Sequence, residues 1–132
     1  MAVYSVRVEV SPGEMIDKIT ILEIKAERMT DTAKLANVRA ELDSLTADRD
    51  TAIPASTELE AFTSALKKVN ETLWDIEDEI RACERAKDFG PRFVELARSV
   101  YVNNDERAAI KRRINDLLGA TIVEEKSYQP YR

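Results

Sequence analysis

The chain has 132 residues, 44% hydrophobic and 34% charged, with only 3 Gly and 4 Pro and a formal net charge of −5. That length suits one domain with a real core, and the scarcity of Gly and Pro predicts a helical bundle and excludes a disordered or all-β chain. The acidic balance argues against general binding to nucleic acid or to an anionic membrane, since both depend on Lys and Arg neutralising phosphates.

At the N-terminus, Tyr4, Val6, Val8 and Val10 alternate with Ser5, Arg7 and Glu9, the period-two pattern of a half-buried strand. A single strand needs a partner. The other β-like segment is Thr121, Ile122 and Val123, so the two ends are expected to pair with each other or with the same strand of a second subunit, the alternative being that Ala120 to Arg132 is a frayed polar tail. The first residues lack the basic and apolar regions of a secretory signal, and no apolar run approaches the roughly 20 residues that cross a bilayer. The expectation is a cytoplasmic protein without a membrane span.

Ser11 to Met29 predicts the first helix. Ser11 supplies an N-cap hydroxyl, Pro12 fits the first helical position and Glu14 can close a capping box. At about 100° per residue, Met15, Ile19, Leu22, Ala26 and Met29 form one stripe with Ile16 beside it, while Ile21 and Ile24 lie on the opposite side. The second apolar side calls for another cover, so Ile21 and Ile24 are candidate interface residues of a homo-oligomer.

Thr30, Asp31 and Thr32 offer N-caps for a second helix from about Thr32 to Asp48, with Leu35, Val38, Leu42 and Leu45 at three-four spacing. Residues 50–57, with Pro54 among small polar residues, form a linker. A third helix, Glu58 to Lys87 capped by Thr57, carries Leu59, Phe62, Leu66, Val69, Leu73, Ile76, Ile80 and Cys83 in unbroken three-four alternation, a seam of coiled-coil type. Cys83 on that stripe reads as an inert buried thiol. Gly90 and Pro91 stop this helix and start the next, which should run from Pro91 to Leu118 and end at Gly119. Its stripe is Phe93, Leu96, Val100, Asn103, Arg107, Ile110, Ile114 and Leu117, apolar except for two polar members in the middle. A break with a new cap at Asn104 and Asp105 is the alternative. The predicted fold is mainly α: an antiparallel four-helix bundle of two hairpins, residues 11–49 and 58–118, with a short N-terminal strand and a tail over residues 119–132, all in one domain.

Histidine is absent. That removes Ser-His and Cys-His hydrolases, and a single Cys cannot complete a zinc site. Any chemistry must rest on carboxylates, Lys and Arg, with Mg²⁺ or Mn²⁺ if a metal takes part. If the third and fourth helices are antiparallel about Gly90, Asn103 and Arg107 face the neighbourhood of Asn70 to Glu77, which is strongly acidic. Asn103, Asn104, Arg107, Lys111, Asn70, Asp75 and Asp78 are therefore candidates for one polar layer. As a binding pocket, it would hold a divalent ion on carboxylates and a phosphate on Arg107 and Lys111. As a structural layer, it would fix helix register. Glu14 with Asp17, and Asp75 with Asp78, are i, i+3 carboxylate pairs that share a helix face and are the candidate metal ligands. They are similar in that general feature to all-α nucleoside triphosphate pyrophosphohydrolases of the MazG type, whose acidic motifs lie closer together and are richer in glutamate. The cluster Arg107, Lys111, Arg112 and Arg113 is short and lacks interleaved aromatics, so nucleic acid is not the expected partner.

The runs VSPGEMIDKITILEIKAER and NDERAAIKRRIN together resemble a family of short bacterial proteins, a domain of unknown function. The resemblance covers nearly the whole chain. It implies an α-helical bacterial protein, connected with surface-polysaccharide synthesis, and brings no catalytic residues. The expectation is a self-associating interaction or scaffold protein with no cofactor and with a further protein partner. The alternative is a Mg²⁺- or Mn²⁺-dependent nucleotide or phosphate-ester hydrolase using the polar layer.

Overall fold

The computed structural model describes residues 3–132. Four helices follow one another: α1 (Pro12–Arg28), α2 (Thr32–Ala52), α3 (Thr57–Ala86) and α4 (Pro91–Leu118). The protein is a mainly α four-helix bundle, and the short connections make successive helices antiparallel. None of the helices among the described residues is long and apolar enough to cross a membrane.

Local chemistry sets the helix ends. Ser11 caps α1 by accepting the Glu14 N–H, Asp31 caps α2 by accepting the Lys34 N–H, and Gly119 ends α4 in the left-handed conformation at φ 63°. The cap of α3 is Ser56 rather than Thr57, and its hydroxyl accepts the Leu59 N–H. α3 ends at Lys87, held at φ 56°, while Gly90 serves as the N-cap residue of α4. α4 is continuous through Asn103 and Asn104.

α1 is the centre of the bundle. It packs against α2, α3 and α4, whereas α2 pairs with α1 alone. The core joins Ile16 to Leu59, Leu66, Ile110 and Ile114, with Ile53, Phe62, Val69 and Leu118 against it. Burying such a side chain is worth about 1.5–3 kcal/mol, so this cluster anchors α1 to the α3–α4 hairpin. At the end of α4 the inward residue is Leu118, one helical turn after Ile114, and Leu117 is left 40% exposed.

Two expectations are corrected. Ile24 is only 1% exposed within the single chain, and Ile21 is half-buried, so Ile24 needs no second subunit to cover it. The reason lies in spacing: Gly13, Asp17, Thr20 and Ile24 fall at steps of four, three and four, forming one buried face. Asp17 and Thr20 on that face bond to α3 and α4. The second correction concerns the pairing of the two ends with each other. Residues 3–10 and 121–123 form no strand within the chain, because neither meets a ladder partner there. The two ends do approach each other, but through side chains: the Ser11 hydroxyl donates to Glu124 Oε1 at 3.0 Å.

Candidate functional site

The polar residues of the bundle gather where the first half of α1 crosses the second half of α4. The approach is close because residue 13 is glycine. A Cβ there would lie 2.5 Å from the Lys111 carbonyl oxygen and 2.9 Å from Asn115 Oδ1. The freed space lets the Gly13 N–H donate to Asn115 Oδ1 at 2.7 Å, which satisfies one of the orphan donors of the helix start. On α4, Arg107, Lys111 and Asn115 recur every four residues and form a polar stripe beside the apolar Ile110, Ile114 and Leu118.

Asp17 lies at the heart of the cluster. Its side chain is 2% exposed, and Arg107 grips both of its oxygens: Nε donates to Oδ1 at 2.9 Å and a terminal nitrogen donates to Oδ2. Asn70 of α3 donates to Asp17 Oδ1 at 2.9 Å and to Thr20 Oγ at 3.0 Å, while the Thr20 hydroxyl donates to the Asp17 carbonyl at 2.8 Å. Three helices therefore share one carboxylate. The hydrogen bond to Asp17 outweighs desolvation and raises the Arg107 pKa further.

A second set lies toward the surface. Lys111 Nζ donates to Glu14 Oε2 at 2.6 Å and to Glu124 Oε2 at 3.0 Å. Burial alone would lower the Lys111 pKa, but the hydrogen bonds to Glu14 and Glu124 prevail and hold it above its ordinary value. Burial likewise works to raise Glu124, yet Lys111 and the Ser11 hydroxyl stabilise its charged form and the net direction is downward. The tail continues along α4, with Glu125 near Arg112, Lys126 bonded to Asp105 and the Tyr131 ring edge-on to Tyr101. Between tail and α4 lies an open groove of about 410 Å³, lined by Asn104, Arg107, Lys111, Arg112, Glu124 and Tyr128 among others.

Of the candidate polar layer, Asn70, Arg107 and Lys111 come together at this cluster, and Asn104 lines the groove. Asn103 does not join, since its amide donates to Ser99 O one turn back on its own helix. The acidic face of α3 is not the partner of Arg107. Asp75 and Asp78 are exposed, Asp75 binds Arg28 at 2.6 Å, Glu77 binds Arg81 and Glu79 binds Arg92. The candidate metal ligands Glu14, Asp17, Asp75 and Asp78 do not converge, and no group of three or more acidic or thiol side chains with metal-binding geometry occurs among the described residues. Glu14 and Asp17 each face a cation of α4 instead.

Sequence reasoning missed Gly13, Thr20, Asn115 and Glu124 as members of the cluster. A signal for the first three was present: Gly13, Asp17 and Thr20 repeat at helical spacing, as do Arg107, Lys111 and Asn115. Glu124 lies in an irregular segment and carries no such mark.

Apart from Asn70 and Glu124, the cluster is drawn from the two runs, residues 10–28 and 104–115, that distinguish the sequence. No curated protein and no solved structure matches the chain. A family model does match, over residues 6–131, and the chain belongs to that family, DUF6165, a family of unknown function.

Proposed function

We propose that the chain is a self-associating helical interaction module, a scaffold rather than a hydrolase. One contrast carries the reading. In the polar cluster Asp17 faces Arg107, and Glu14 and Glu124 share Lys111, while no buried side-chain polar atom among the described residues lacks a hydrogen-bond partner. The N-terminal segment is the opposite case: Val3, Tyr4, Val6 and Val8 are 72–91% exposed. A cluster that consumes its own charges acts as a fastener. Apolar side chains left in water along one segment are surface for a partner.

The test has two arms. Light scattering at micromolar concentration should give a multiple of the 15.0 kDa chain mass, and a monomer mass overturns the reading. Thermal unfolding with Mn²⁺ and a nucleotide or sugar nucleotide should match unfolding without them. A hydrolase site filled at 100 times its Kd would add about 2.7 kcal/mol, so a clear upward shift favours the enzyme.

A further inference from the structure

We infer that residues 5–10 are the self-association surface and that the occupant is the same segment of a second copy, paired as an antiparallel strand with Val8 at the two-fold axis. The inference rests on the self-associating reading and names its interface. Its basis is the register that the sequence permits. In an antiparallel pair, directly opposed residues share a face, so Val must oppose Val, and a slip by one residue would set valines against charges. Among the two-fold registers that keep the faces apart, centring on Arg7 opposes two arginines, centring on Glu9 opposes two glutamates, and centring on Val6 or Val10 leaves Arg7 and Glu9 with no opposed counter-charge. Centring on Val8 places Arg7 opposite Glu9 twice and Val6 opposite Val10 twice. One face is then all valine and the other is charge-matched.

The structure leaves the segment free to do this. Residues 3–10 are exposed throughout and belong to no helix or strand, with Val8 72% and Val6 85% exposed. No backbone–backbone hydrogen bond engages residues 3–10, so both edges there are open, as strand addition requires. At its end, Ser11 is 2% exposed and held by the α1 start and by Glu124, so the strand leaves from a fixed point. An isologous two-fold contact closes on itself and gives a dimer.

The experiment is sedimentation velocity or light scattering across a dilution series of the full chain. It compares the parent with Arg7→Glu, Glu9→Arg, the double variant Arg7→Glu/Glu9→Arg, and Val8→Pro. The parent should be a dimer of the 15.0 kDa chain. Each single charge variant opposes like charges twice and should weaken the dimer about tenfold. The double variant restores both pairs and should return close to the parent, while Val8→Pro, whose ring holds φ at about −65° at the axis of the strand pair, should give monomer. The helical circular dichroism signal should be the same for all, since the segment lies outside the four helices. A parent that dimerises regardless of all four changes overturns the strand pairing and leaves self-association standing. Loss of the dimer in both single variants without rescue in the double overturns this register. A monomeric parent overturns both.

Discussion

α1 and α2 are neighbours in sequence and similar in length, 17 and 21 residues, yet their places in the fold are opposite. α1 buries Gly13, Ile16, Asp17, Ile19, Thr20, Leu22 and Ile24, whereas α2 buries Val38 alone. Apolar content does not explain this by itself, since Leu35, Leu42 and Leu45 sit at proper helical spacing on α2 and remain half-buried. Burial follows the number of neighbours. α1 has three, and its polar residues help to recruit two of them: Asp17 and Thr20 draw in α3 through Asn70, and Asp17, Gly13 and Glu14 draw in α4. α2 has one packing partner and a single ion pair to it, Lys18–Glu41 at 3.0 Å, with both side chains about half exposed. Such a surface pair contributes about 0–1 kcal/mol.

The sharpest way to break the asymmetry is Arg107→Met. The Asp17 carboxylate would keep Asn70 but lose its counter-charge in a place where it is 2% exposed, and the loss should be about 3–5 kcal/mol in chemical denaturation. Adding Asp17→Asn removes the stranded charge and should recover much of that loss. If Arg107→Met alone unfolds like the parent, the seating of α1 does not depend on this pair.

Gly13→Ala tests the close approach itself. The new methyl would meet backbone, the Lys111 carbonyl oxygen at 2.5 Å, so α1 and α4 must separate. Overpacking of this kind costs about 1–3 kcal/mol, read as a lowered melting temperature. A neutral outcome would mean that the helix start yields more easily than its contacts imply.

Hydrogen exchange sharpens the comparison without a substitution. Central amides of α1 should exchange only with global unfolding, while those of α2 exchange through a smaller opening in which α2 leaves α1. Equal protection in both helices would mean that the hairpin opens as one unit.

Much of the fold was legible because helix ends are local chemistry. Ser11, Asp31 and Gly119 act where their side chains or backbone freedom direct them, and the three-four repeat of α3 survives in buried Leu59, Leu66 and Ile76. Where neighbouring residues offer similar chemistry, as Ser56 and Thr57 do, the cap moved by one position. The site was legible only in part. Asn70, Arg107 and Lys111 were identifiable as polar residues on or beside otherwise apolar stripes, but hairpin geometry alone matched Arg107 to α3, while its carboxylate comes from α1.

The sequence by itself determined four helices, most of their ends and the membership of the chain in its family, since periodicity, caps and the two long motifs are properties of nearby residues. Tertiary structure alone decided which helix lies at the centre. It also decided that Ile24 faces inward, that Asp17 is the partner of Arg107, and that the tail is held through Glu124 while the N-terminal segment stays uncovered. The physical reason is that a charge or an apolar side chain specifies only the kind of neighbour it needs. Which neighbour it meets depends on how closely the helices approach, and here a missing Cβ at Gly13 allows α1 to come against α4.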